Sequence, residues 1–108
     1  MPTTALDIAP ALLTSSEMTI IVVPASHEYD LPVIRFVNTA SSGSIQLTIW
    51  NKTSASGGVN ADAESLVSIQ PQSTYEHGPM VLAAARQVSV AASTSGFISC
   101  RPHGWDIS

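Results

Sequence analysis

The sequence predicts an all-β fold: a single antiparallel β-sandwich of jelly-roll type with an extended N-terminal arm. Helical periodicity is almost absent, short β-branched segments alternate apolar and polar residues, and Gly, Pro, Ser and Asn punctuate them. Roughly seven or eight short strands spaced in this way are typical of sandwiches and jelly rolls. A length of 108 residues suits one domain. We predict an arm over residues 1–16 and the sandwich domain over residues 17–108.

The arm contains apolar residues without clear alternation, and Pro10 interrupts it. We expect it to be loose unless a neighbouring subunit or surface holds it, as chain termini commonly are. The first strand is predicted in "MTIIVVPA", residues 18–25. It ends at Pro24, because proline lacks the N–H that a central strand must donate.

The next two strands are predicted in "VIRFVN" and "SIQLTIW". In each, alternate residues are apolar and share one face of the sheet. The link "TASSG" is predicted to be a tight hairpin turn, with Gly43 available for a positive φ. The predicted core is Ile34, Phe36, Ile45, Leu47, Ile49, Val88 and Val90.

The second half of the chain begins with a polar loop over residues 51–64. A strand in "SLVSIQP" follows, then an edge strand in "STYEH", a turn at Gly78-Pro79 and a strand in "MVLAA". The segments "RQVSVAAS" and "GFISCRPH" are predicted to form a last hairpin across "STSG".

Charge is scarce. Lys and Arg number 4 and Asp and Glu 8, so 11% of residues are charged, against about 25% in an ordinary domain. Strands this poor in charge favour a protein whose outer surfaces are covered by copies of itself or by another protein. The net charge of −4 gives no basic surface for nucleic acid or an anionic membrane. No apolar run approaches the ~20 residues of a membrane span, and Cys100, the only cysteine, has no partner for an internal disulfide.

Five short motifs occur in order along residues 19–100: Val23-Pro24-Ala25, Val37-Asn38-Thr39, Leu47-Thr48-Ile49, Gly78-Pro79-Met80-Val81-Leu82 and Ala92 to Gly96. In this order the chain resembles small structural proteins of tailed-phage virions, of the β-sandwich accessory and decoration type. The link "SHEYDLP" and the tail "RPHGWDIS" depart from that pattern.

The resemblance implies a non-enzymatic part of a virus particle. We expect a capsid decoration or cement protein that binds the shell as an oligomer and is found in the virion, after assembly in the host cytoplasm. Its expected partners are itself, as a homotrimer or dimer, and a major capsid or other virion protein, with no nucleic acid and no membrane. One alternative is a neck or tail structural component, and another is a glycan-binding module at the virion surface.

The sequence carries no recognised catalytic motif: G-x-S-x-G, H-E-x-x-H and the phosphate-binding G-x-x-x-x-G-K are all missing. His27, His77 and His103 supply metal-binding atoms, but none has a second ligand at tight spacing. We therefore predict no enzymatic activity, no metal and no cofactor.

The residues that we predict to contact partners are apolar arm residues, both tryptophans and one arginine. Tryptophan is favoured at binding hot spots and can also form a platform for a sugar ring. Arg35 lies on an otherwise uncharged strand and is expected to point outward to an acidic group, since an unpaired buried guanidinium is too costly. The candidate interface residues are Leu6, Ile8, Leu12, Leu13, Arg35, Trp50 and Trp105.

Overall fold

The computed structural model describes residues 3–53 and 63–108. It confirms an all-β sandwich: two antiparallel sheets pack together, and the described residues form no helix. The strands are β1 (Thr3–Ala5), β2 (Ala11–Leu12), β3 (Met18–Val22), β4 (Glu28–Asn38), β5 (Ile45–Lys52), β6 (Ala63–Ile69), β7 (Thr74–His77), β8 (Met80–Leu82), β9 (Gln87–Ala92) and β10 (Ile98–Ile107).

The first sheet has six strands in the order β1-β10-β4-β7, with β2 also paired to β10 and β8 also paired to β4. The second sheet has the order β3-β9-β5-β6. Along β4, Ile34 lies opposite His77 and Leu31 opposite Met80, so β7 and β8 keep one register. They form a single edge strand, interrupted at the cis peptide bond of Gly78-Pro79, rather than two strands joined by a turn.

Both predicted hairpins are wrong. β4 and β5 lie in different sheets, and so do β9 and β10, so the links over residues 39–44 and 93–97 cross from one sheet to the other. Asn38 fixes the first crossing: its buried side-chain amide donates to the Ile69 carbonyl at 2.9 Å and accepts from the Ala40 N–H at 2.9 Å. Gly43 does adopt a positive φ, 87°. Alternation identifies a strand's buried face but does not choose its neighbour.

The predicted core is confirmed. All seven of its residues are at most 3% exposed, and they fill the space between the sheets. Further buried side chains come from both ends of the chain and from β4 and β8: Leu13, Ile21, Val23, Leu31, Leu82, Ile98 and Cys100.

The N-terminal segment does not form the separate arm that the sequence predicted. β1 and β2 both pair with β10, and between them the Leu6 N–H donates to the Gly104 carbonyl at 2.9 Å. Leu13 then enters the core and is fully buried. An interrupted edge strand bends to follow the sheet, which explains why this segment lacks regular alternation. Deleting residues 1–16 is therefore expected to uncover the core, not merely to remove a loose terminus.

Candidate interaction face

Three of the predicted interface residues meet on one surface, the outer face of the first sheet. Residues directly opposite each other on paired strands share a face. Arg35 lies between the buried residues Ile34 and Phe36 and so points outward. Its strand, β4, pairs with β10, which carries Trp105 and also pairs with Leu12 of β2. We call this surface the first-sheet face. Its members include Ala5, Leu12, Glu28, Asp30, Val33, Arg35, Val37, Glu76, Val81, Ser99, Arg101, His103 and Trp105.

One row of this face is cationic. Arg35 lies directly opposite Arg101 on β10 and opposite Glu76 on β7. The Arg35 guanidinium donates from both Nε and Nη2 to Glu76 Oε2, at 3.2 and 2.9 Å. Arg101 is exposed and has no ion-pair partner among the described residues. Like charges directly opposite each other are unfavourable, so this row has room for one more anion.

A second row of this face consists of three apolar residues and one aspartate. Val81, Asp30, Trp105 and Ala5 lie side by side on β8, β4, β10 and β1. The exposed fraction is 63% for Val81 and 47% for Trp105. Asp30 makes no ion pair within the described ranges. Tryptophan, aliphatic and arginine side chains exposed on one face are the composition of protein interfaces.

Asp30 reaches this face only because β4 is irregular. Strict alternation from the buried Ile34 would point Asp30 into the core, but the register between β4 and β10 shifts between His103 and Trp105. The shift turns Leu31 inward, where it is fully buried, and Asp30 outward. Gly104 permits the close approach, since a Cβ there would lie 2.1 Å from the Asp30 carbonyl oxygen.

The other predicted interface residues lie elsewhere. Leu6 and Ile8 are half-buried against the core, and Leu13 is inside it and so is not available to a partner in this fold. Trp50 is half-buried on the outer face of the second sheet, opposite Ser89. The structure therefore separates the two tryptophans onto opposite sides of the sandwich.

The sequence did not reveal a buried polar cluster on the outer face of the second sheet. The ammonium group of Lys52 and the hydroxyl of Ser89 both donate to Oε2 of Glu17. Lys52 is 4% exposed and Ser89 fully buried. Only one signal was present, a lysine at the end of an otherwise uncharged strand. Because a carboxylate receives both donors, the cluster ties β5 and β9 to the residue before β3.

The other ionisable groups of note, a cysteine, a histidine and a tyrosine, are buried, partly buried or bound to neighbouring side chains. Burial raises the pKa of the Cys100 thiol to about 12, so it stays protonated at neutral pH. His27 Nδ1 lies 2.7 Å from Asp106 Oδ1 and connects the loop before β4 to the end of β10. Burial, and then the charge of Asp106, raise the pKa of Tyr29. In the described part of the chain, no three His, Cys, Asp or Glu side chains converge as a metal site would need.

A shallow cavity of about 240 Å³ lies where the two sheet-crossing links meet. Its walls carry hydroxyl groups, including Ser44 and Thr94, beside the exposed ring of Phe97. None of the described residues that line it is charged.

No family model matches the chain, and neither a curated protein nor a solved structure shows significant similarity to it. Across residues 3–53 and 63–108 there is no helix that is long and apolar enough to cross a membrane.

Proposed function

We propose that this chain is a structural virion protein of a tailed phage, which decorates or cements the capsid shell as an oligomer. The observation that carries the proposal is the first-sheet face. Trp105 and Arg101 are exposed there, and Arg101 has no ion-pair partner among the described residues. Tryptophan and arginine are the residue types that supply most of the binding energy at protein interfaces, and Leu12 and Val81 add exposed apolar surface beside them. An exposed apolar surface of this kind marks an interaction site.

The strand order supports a jelly-roll topology for this role. Counting β1 with β2 and β7 with β8 as single interrupted strands leaves eight, ordered 1-8-3-6 in the first sheet and 2-7-4-5 in the second. Successive strands then alternate between the sheets, except for strands 4 and 5, which are neighbours in the second sheet, as in the double Greek key of jelly rolls that build capsids. A sandwich of this kind presents a broad sheet surface. Many copies bound to a capsid shell would stabilise the shell by mass action.

A non-enzymatic role is supported by the state of the buried nucleophiles. The Ser89 hydroxyl donates to Glu17 and is fully buried, and the Cys100 thiol has a pKa of about 12. A catalytic nucleophile must be accessible to its substrate, and both of these groups are buried.

The test is to locate the protein in particles. We expect mass spectrometry of gradient-purified virions to find the chain at a fixed ratio to the major capsid protein, and cryo-electron microscopy to place it on the outside of the head. Density at the neck or tail would correct the location. A protein that stays in the lysate while particles form normally without its gene would overturn the proposal.

A glycan-binding module is the second candidate, because the cavity at the sheet-crossing links pairs an exposed ring with hydroxyl groups and carries no charge. Phe97→Ala is expected to abolish binding on a glycan array if this role is correct, whereas Trp50→Ala is expected to leave it unchanged. A wild-type protein that binds no glycan on the array would contradict this candidate.

A further inference from the structure

The charges of the first-sheet face are separated along the strands. One end carries Arg35 and Arg101 with Glu76, and the other carries Asp30 and Glu28, which lies two residues earlier on β4. Because Glu76 is bound to Arg35, the first end has one surplus positive charge and the second end has two negative charges. The face is therefore dipolar, with the row of Val33 and His103 between its ends.

This arrangement is self-complementary about the middle row. On β10, Arg101 lies two residues before His103 and Trp105 two residues after it. A two-fold axis that runs across the strands along this row, in the plane between two facing sheets, would put Arg101 of one copy against Trp105 of the other. The same rotation would put Arg35 against Asp30 on β4.

We propose that the first-sheet face binds the same face of a second copy of this chain, through two equivalent contacts in which Arg101 lies against Trp105 and Arg35 against Asp30. A guanidinium over a tryptophan ring gains cation–π attraction, and the adjacent carboxylate supplies the anion that the cationic row lacks. A two-fold axis parallel to the strands is excluded, since it would place arginine against arginine.

A second copy explains both ends of the face at once. A purely acidic partner would neutralise Arg101 but meet Asp30 and Glu28 with like charge, and a purely basic partner would do the reverse. A partner must carry the same dipole in the opposite direction, which a second copy related by two-fold symmetry does by construction. The exposed side chains Val81, Leu12 and Trp105 are then covered as well.

The face is small for a specific protein interface. Four neighbouring strands about 4.8 Å apart and about eight residues long cover roughly 500 Å² per copy. The total of about 1,000 Å² is at the low end for specific association. We therefore expect a dissociation constant in the micromolar range for the free protein, and firmer pairing where many copies are held on one surface.

This inference deepens the proposed function by naming the copy-to-copy contact, and it rests on that function only for its use in a particle. The two can fail separately. Particles that carry isolated copies would contradict the dimer and leave the virion role intact. A two-fold dimer of a protein that is absent from particles would contradict the role and leave the dimer intact.

A charge exchange tests the geometry. Arg101→Glu makes the row that faces Asp30 and Trp105 net negative in both contacts, and Asp30→Arg makes the row that faces Arg35 and Arg101 positive in both. By sedimentation velocity at about 10 to 500 µM, we expect wild type to dimerise and each variant alone to remain monomeric. An equimolar mixture of the two variants restores attraction at both contacts, so we expect it to form a heterodimer, and the double variant in one chain to form a homodimer.

Matched controls come from the second sheet. Gln46→Glu and Ser68→Arg make the same charges on its outer face, where the two residues lie opposite each other, and we expect both proteins to dimerise like wild type. Trp105→Ala is expected to weaken dimerisation roughly tenfold or more, whereas Trp50→Ala leaves it unchanged. Melting curves confirm that each variant folds. A wild type that is monomeric throughout, or a mixture of folded variants that does not associate, overturns the proposal.

Discussion

Among the described residues, the outer face of each sheet carries one ion pair between carboxylate and basic side chains, and the two pairs differ in their exposure to solvent. On the first sheet, the side chains of Arg35 and Glu76 are 49% and 55% exposed. On the second sheet, those of Lys52 and Glu17 are 4% and 22% exposed, and Ser89 shares the carboxylate. The exposed pair is solvated whether or not it forms, while the buried pair must form for the fold to be stable.

This difference indicates what each face does. A buried charge pair stabilises the fold only when it is complete, and it offers nothing to a partner. Exposed arginine, aspartate and tryptophan side chains contribute little to folding but remain available for contact. The ion pair of the second sheet therefore serves the stability of the fold, whereas the charged side chains on the outer face of the first sheet are accessible to a partner.

The largest effect is expected in the core that both sheets share. Phe36 is fully buried and its ring stacks on Tyr75, with centroids 6.2 Å apart. Phe36→Ala should lower the free energy of unfolding by about 3 to 5 kcal/mol, a large part of the roughly 5 to 15 kcal/mol of a small domain. Denaturant melts measure it, with Val37→Ala on the outward side as control. A loss below about 1 kcal/mol would show that the faces of β4 are inverted.

Breaking the buried pair comes next. Lys52→Met leaves Glu17 without its cation, so we expect a loss of about 3 kcal/mol, near the low end for buried pairs because Glu17 keeps partial exposure. Urea unfolding of this variant and of the Lys52→Met, Glu17→Met double variant separates the pair from its packing. We expect the double variant to recover part of the loss. An unchanged stability in Lys52→Met would mean that the pair has no structural role.

Adjacent residues on β10 allow a pH test of the two sides of the first sheet. Cys100 faces the core with a pKa raised from 9.0 to about 12, while Arg101 faces solvent. The unfolded thiol loses its proton first, so stability is complete below pH 9 and falls between pH 9 and 12. The loss at pH 10 is on the order of 1 kcal/mol. Cys100→Ala should remove this slope while Tyr29 titrates in both proteins. Parallel alkaline profiles would contradict the assignment.

The smallest effect is expected for the exposed pair. Arg35→Gln should cost less than about 1 kcal/mol of unfolding free energy, since both partners remain hydrated. Melts in low and high salt are expected to differ little from those of wild type. A cost as large as that of Lys52→Met would mean that burial does not distinguish the two pairs.

The buried faces of the central strands could be predicted from the sequence, but the pairing could not. Alternation placed Ile34, Phe36 and Leu47 in the core because a strand exposes every second residue to each side. It gave no partner for β4, since the hydrogen-bonding groups of every strand are the same. The turn residues around Gly43 correctly predicted its positive φ. They did not predict that the link crosses from one sheet to the other instead of closing a hairpin.

The interaction face was predicted only in part. Arg35, Leu12 and Trp105 were chosen for their residue types, and the fold brings them together. Asp30 was missed because the register shift beside Gly104 reverses the orientation of its side chain. Arg101 was missed because it becomes a neighbour of Arg35 only through the pairing of two strands that are far apart in sequence. The prolines at 32 and 79 and the glycine at 104 were the available signals, as residues that interrupt regular strands.

The position of β10 has a consequence for biosynthesis. It is the last of the described strands in sequence order, yet it pairs with β1, β2 and β4 and so lies inside the first sheet. While residues 98–107 are still inside the ribosome, one edge of β4 is unpaired, and β1 and β2 have no partner strand. Contacts this distant in sequence form slowly. The charged surface therefore forms only after β10 has left the ribosome, and copies that have not reached that stage cannot pair through it.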